Sequence, residues 1–183
     1  MAVRPILRMG HPLLRRPALP VPRPASEAVR ALVRDLVDTM EAAPGTGLAA
    51  PQIGESLQVV VYLVAPERAE REGCEAVPLT VLVNPRIEPL TDAITAGWEA
   101  CLSVPDLAGE VPRWDRVRVT ATDLEGRPLV REAGGFHARV LQHEIDHLSG
   151  ILYPERMPDL TRLAYRSELP HLLGQAKEAK RTS

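Results

Sequence analysis

His143-Glu144-Ile145-Asp146-His147 sets two imidazoles four positions apart with a carboxylate between them. In a helix, residues four apart lie about 40° apart around the axis and one turn above each other. Both rings therefore project from one face, close enough to share a metal ion. By the same geometry Glu144 lies about 80° from the midline of the pair. There it borders the metal without binding it, the place for a general acid/base acting on a water that the metal activates. Phe136 and Val140 continue the histidine stripe, while Ala138, Leu141, Ile145 and Leu148 occupy the other faces. A helix apolar nearly all round is a buried helix, and two histidines and a glutamate inside a core are costly unless paired or metal-bound.

A catalytic metal site needs a third protein ligand and keeps one position open for water. Glu99-Ala100-Cys101-Leu102-Ser103 offers the obvious supplier, Cys101, because a thiolate binds zinc or ferrous iron strongly. Without the histidine helix, the same cysteine would read as a buried, hydrophobe-like side chain. His137, six residues before His143, points away from the pair. The segment Gly45-Thr46-Gly47-Leu48-Ala49-Ala50-Pro51-Gln52 has two glycines that permit a close approach by another chain, and an amide that both donates and accepts. It lacks the lysine and the spacing of a phosphate-binding loop, and alone it reads as a helix-to-strand turn.

Taken together, GTGLAAPQ, EACLS and HEIDH, in this order, resemble the peptide deformylase family, whose motifs read GxGLAAxQ, EGCLS and HExDH. The resemblance extends to the opening ILRMGHPLLRRPA and to FHARVLQHEIDHLSGILYPERM, and so covers most of the chain. It implies a hydrolase that removes the formyl group from the N-terminal formylmethionine of new polypeptides and releases formate. It implies one divalent metal ion, ferrous iron first, with zinc, nickel or cobalt also compatible with sulfur and imidazole ligands. The ligands carried over by motif are Cys101, His143 and His147, with Glu144 as acid/base. The Gln52 amide and the Leu102 backbone N–H are the expected donors to the developing oxyanion. The substrate is expected to lie beside the glycine loop as an added strand, with Gly45, Thr46 and Gly47 in contact. Thr46, Leu102, Phe136 and Val140 are candidates for an apolar pocket around the first side chain. Glu99 and Arg113 match family positions expected to pair in support of the site. Two departures stand out: Ala100 replaces the usual glycine, and Ala108 stands where many bacterial relatives have an arginine, so substrate orientation there is expected to differ.

Two other readings fit the residues alone. A metal-stabilised binding protein would need a fourth Cys or His, and none lies nearby in the sequence. A general metallopeptidase with His-Glu-x-x-His would more commonly recruit His or Glu as its third ligand than Cys101. Asp146 reads equally as an anchor behind a metal ligand or as a surface salt bridge.

The elements that must position these groups follow from pattern and composition. A chain of 183 residues is expected to form one catalytic domain over 1–183, with a polar C-terminal tail from about 170 to 183. Lys and Arg total 22 against 24 Asp and Glu, a balance that speaks against nucleic acid as substrate. No stretch reaches the roughly 18 apolar residues of a membrane helix, and two cysteines are too few for a disulfide scaffold. The first 26 residues hold five arginines and no acid, as in a transit peptide, but six prolines would break its helix. They read instead as an arm wrapping the domain, and the compartment as the bacterial cytosol in preference to an organelle. The expected partners are N-formylmethionyl nascent polypeptides, with transient contact to the ribosome.

Ser26 caps an amphipathic helix whose Val29, Leu32, Val33, Leu36, Val37 and Met40 share a face, closed by Pro44 and Gly45. Residues 57–64 and 79–83 read as strands, with an exposed loop carrying Cys74 between them. Residues 116–122 alternate with period two and return through Leu129 and Val130 as a hairpin. A last helical pattern runs from Asp159 to Leu169. The expected fold is α+β, with mixed or antiparallel strands packed around a buried central helix that carries the His-Glu-x-x-His motif, and with an N-terminal amphipathic helix.

Overall fold

The computed structural model describes residues 2–43 and 45–174. Pro44 and the part of the expected tail beyond residue 174 lie outside the described residues. Helix α1 is Glu27–Ala42; the Ser26 hydroxyl accepts the Val29 N–H at its start, and Val29, Leu32, Val33, Leu36 and Met40 are buried. Five strands form one antiparallel sheet: β1 (Gly47–Ala49), β2 (Val59–Val64), β3 (Val77–Pro89), β6 (Arg116–Thr122) and β7 (Pro128–Gly134), in spatial order β1-β2-β3-β6-β7. A second antiparallel sheet has the order β4-β5-β8, from β4 (Ile94–Cys101), β5 (Val104–Trp114) and β8 (Leu163–Tyr165). Of the mixed and antiparallel alternatives, the antiparallel one holds, among the described residues, for every pair of strands, the single parallel contact there being the bridge Leu19↔Leu57.

Alternation along β2 explains why the large sheet is covered on both faces. Val60, Tyr62 and Val64 face a core that they share with Leu141, Ile145 and Leu148 of helix α3 (Gly135–Leu148). Val59 and Val61 face the opposite core, formed with Leu36 and Met40 of α1. A third, smaller core places Cys101, Val104 and Val111 of the β4–β5 hairpin against Leu152 and Tyr153.

Two expectations need correction. The stretch between β2 and β3 is not simply a loop: helix α2 spans Pro66–Glu72. Pro66 fits its first turn, Gly73 ends it in the left-handed region at φ 64°, and Arg68 pairs with Glu72 one turn on. The helix expected over 159–169 is absent. Asp159 caps a 3-10 turn at Leu160–Arg162, and the chain then extends as β8 along β5. Tertiary pairing with an available sheet edge overrides the local periodicity there.

The proline-rich arm is ordered by backbone bonding to distant segments. Leu7 N–H donates to Gln52 O at 2.8 Å and Met9 N–H to Ser103 O at 2.7 Å, while Ala18 N–H reaches Leu148 O at 2.8 Å. Gly150, at φ 74°, sits where any side chain would strike the Arg15 backbone, a Cβ lying 2.7 Å from its carbonyl carbon. Among the described residues, no helix is long and apolar enough to cross a membrane.

Candidate metal centre and its cavity

Helix α3 presents His143 and His147 one turn apart, both buried, with ring centroids 5.1 Å from each other. The end of β4 brings Cys101 to them: its Sγ lies 3.4 Å from His147 Nε2. One donor atom from each of Cys101, His143 and His147 lies within 4.8 Å of the others, and among the described residues no fourth ligand joins this group. Two ligand bonds of roughly 2.0–2.3 Å meeting at a tetrahedral angle separate their donors by about 3.5 Å. The Sγ–Nε2 spacing fits that span, so the residues present suit a metal ion. Burial alone would raise the Cys101 thiol, but the two imidazoles outweigh it and hold the group well below its ordinary value. The thiolate is the form that binds metals.

The remaining nitrogen of His143 is fixed from behind. His143 Nδ1 lies 2.8 Å from Glu99 Oε2, leaving Nε2 for the ligand side. Burial pushes the Glu99 carboxyl up, but two hydrogen bonds from Arg113, then His143, hold it at about 2. The ionised carboxylate therefore accepts from the imidazole N–H. Arg113 Nη1 in turn donates to Asp146 Oδ2 at 2.6 Å, and Arg156 grips both oxygens of Asp146. Both readings of Asp146 find a contact: it pairs inside the protein with Arg113, which leads to Glu99, and toward the surface with the half-exposed Arg156.

A cavity of about 360 Å³ opens onto this group. Gln52 lies at its wall with its amide direction fixed: Oε1 accepts the Ala49 N–H at 2.8 Å, and Nε2 donates to Ser103 Oγ at 3.1 Å while lying 3.6 Å from Cys101 Sγ. The donor end of the amide thus faces the sulfur. The Leu102 backbone N–H finds no acceptor among the described residues, and Leu102 also lines the cavity. Gly45, Thr46, Phe136 and Val140, expected to contact substrate, all line it too.

Glu144 is buried, and its Oε2 lacks a hydrogen-bond partner among the described residues. That loss of solvation pushes its carboxyl above the ordinary range. Gly47 makes room for it. A Cβ at residue 47 would lie 2.5 Å from both the Glu144 carboxyl carbon and Oε1, so the second loop glycine is needed as the seat of this carboxylate. His137 is apart from the group, with Nε2 3.2 Å from the Tyr62 hydroxyl.

Sequence reasoning missed Arg139 and Arg156. Arg139 donates to Glu99 Oε1 at 3.0 Å and to the carbonyls of Thr95, Gly97 and Val111. Its position four residues before His143, on the same helical stripe, was the available signal. Arg156 lies in a 3-10 turn, and nothing in the local pattern ties it to Asp146.

A family profile described as polypeptide deformylase matches residues 3–163. Peptide deformylase 2 of Ralstonia nicotianae is 55% identical over 164 residues, covering 89% of this chain and 92% of that protein. Peptide deformylase 1 of Bordetella pertussis is 51% identical over 168 residues, covering 91% and 94%. Among solved structures, the peptide deformylase of Thermus thermophilus is similar at TM-score 0.76 and 44% identity, covering 88% of this chain and 89% of that one. A class I type b peptide deformylase from Acinetobacter baumannii, solved with Met-Ala-Ser bound, is similar at TM-score 0.78 and 34% identity, covering 85% and 99%.

Proposed function

The chain belongs to the polypeptide deformylase family, and from that premise we propose that Cys101, His143 and His147 hold the metal while Glu144, Gln52 and Leu102 carry the reaction. The enzyme removes the formyl group from the N-terminal methionine of new polypeptides, and the reaction depends on a metal. The observation that carries the residue assignment is the convergence of one sulfur and two imidazoles beside a buried carboxylate at the floor of one cavity.

When bound, the metal supplies a Lewis acid that polarises the formyl carbonyl and acidifies a water. Glu144, destabilised as an anion by its burial, is the group that takes the proton of the attacking water. Gln52 Nε2 and the Leu102 N–H donate toward the formyl oxygen as negative charge builds on it. Because Ala49 and Ser103 fix the Gln52 amide, little reorganisation is needed at that moment. Glu144 then passes its proton to the leaving nitrogen, the C–N bond breaks, and formate and a free amino terminus depart. Glu99, held by Arg113, keeps the His143 ring oriented throughout.

We assign the metal as ferrous iron, with zinc, nickel or cobalt as alternatives that the same donors accept. The reading extends to a single catalytic domain, to Thr46, Leu102, Phe136 and Val140 around the methionine side chain, and to a bacterial cytosolic enzyme in transient contact with the ribosome. Elemental analysis of protein prepared without oxygen tests the metal; stoichiometric zinc and no iron would overturn the iron assignment. Formate release from a formyl-methionyl peptide, compared with its acetylated and unblocked forms, tests the reaction. Deformylation alone supports the assignment, and internal cleavage would contradict it.

A further inference from the structure

Three arginines line the cavity, and among the described residues two of them are engaged: Arg68 with Glu72 and Arg139 with Glu99. The third, Arg166, is exposed, and its guanidinium has neither an ion pair nor a hydrogen bond among the described residues. Its place is set by the small sheet. Strand β8 pairs with β5 at Leu107↔Tyr165, Ala108↔Ala164 and Gly109↔Leu163, and the next bond along runs from Arg166 N–H to Asp106 O at 2.7 Å. Asp106 adopts φ 64°, a left-handed conformation that Asp and Asn take up more readily than other side chains. The Arg166–Asp106 backbone bond holds the β8 terminus at the cavity.

The register fixes how far this cation is from the chemistry. Cys101 pairs with Val104, and Asp106, two residues further along β5, is about 7 Å beyond Val104 at the rise of a strand. An extended polypeptide that runs alongside β5 with its formyl group at Cys101 reaches the level of Arg166 about two residues later. The stem of an arginine brings the neighbouring positions into range.

We propose that Arg166 recognises a carboxylate side chain at the third residue of the formylated polypeptide, so that chains acidic at that position are preferred substrates. The inference rests on the reading of this cavity as the deformylase site. An exposed ion pair of this kind is worth little, so the expected preference is about two- to fivefold.

The test compares kcat/KM of the metal-loaded enzyme at low salt for four peptides. Three are amide-capped, formyl-Met-Ala-Ser, formyl-Met-Ala-Asp and formyl-Met-Ala-Lys; the fourth is formyl-Met-Ala-Ser with a free carboxylate. The aspartyl peptide should exceed the capped seryl one by about two- to fivefold and the lysyl peptide should fall below it, both differences shrinking in about 0.5 M salt. Arg166→Ala should bring the aspartyl-to-seryl ratio to near one, Arg166→Glu should invert it, and Asp106→Asn should raise it by removing the neighbouring negative charge. Asparagine tolerates the left-handed backbone of residue 106. Equal turnover of acidic and neutral peptides by the wild type, or a ratio that survives Arg166→Ala, overturns the proposal. A gain confined to the free-carboxylate peptide overturns the assignment to side chains. No formate from the neutral capped peptide overturns the reading of the cavity itself, which separates that failure from this one.

Discussion

Glu144 and Gly47 act as one unit, because the carboxylate occupies the volume that any side chain at residue 47 would need. Glu144→Gln is expected to keep its metal by elemental analysis while kcat falls by about 10²- to 10⁴-fold, the usual size of a lost general acid/base. Gly47→Ala should lower kcat by displacing the carboxylate, with little change in thermal midpoint; unaltered turnover would show that Glu144 can move without consequence. His137 gives a stability test away from the metal. Burial first, then the Arg131 charge, holds its imidazole at about 4, below an unfolded value of about 6.5. The unfolded chain therefore binds the proton first on acidification, so this contribution to stability is present above about pH 6.5 and is lost as pH falls toward 4. His137→Gln should flatten that part of the stability profile in urea titrations at pH 7.5 and pH 5. An identical pH dependence in the two proteins would refute it.

At the scale of elements, the legible ones carry their own periodicity. Helices α1 and α3 and the β6–β7 hairpin are readable because their buried positions repeat locally. Strands β4 and β5 are not readable as a pair. Ile94–Cys101 includes Gly97 and two alanines, Val104–Trp114 includes two prolines, and their pairing is decided by register across the hairpin. The gathering of Cys101, His143 and His147 beside Glu144 is legible from residue type and spacing, whereas Arg139 and Arg156 become visible only where β4, β5 and α3 converge on Glu99 and Asp146. That convergence is a buried charge network. Removing one member leaves the others uncompensated, so Glu99→Ala should cost about 3–5 kcal/mol in denaturant unfolding, far more than an exposed carboxylate would. A loss below about 1 kcal/mol, typical of surface pairs, would mean that Arg113 finds another partner.

Across the whole molecule, the arm joins the turn carrying Gln52 to the segment carrying Ser103, the two groups that meet through the Gln52 amide. Deleting residues 2–9 removes both backbone bonds, at about 1 kcal/mol each, together with the Arg4 bonds to Thr39, Asp35 and Glu55, and should cost at least about 2 kcal/mol of unfolding free energy. Formate release should fall as well, because the Gln52 donor loses its brace. A truncated enzyme with full kcat/KM would show that the turn holds its own shape.

The seam at Gly150 reverses the order in which this protein can be completed. Residues 1–20 are synthesised well before helix α3, yet Ala18 bonds to Leu148 and the Arg15 backbone rests on Gly150, at and just past the C-terminus of that helix. The segment must wait, exposed, until synthesis has passed residue 150. The six prolines and five arginines of residues 1–26, with no acidic residue, suit that interval, since they disfavour both premature strand pairing and self-association.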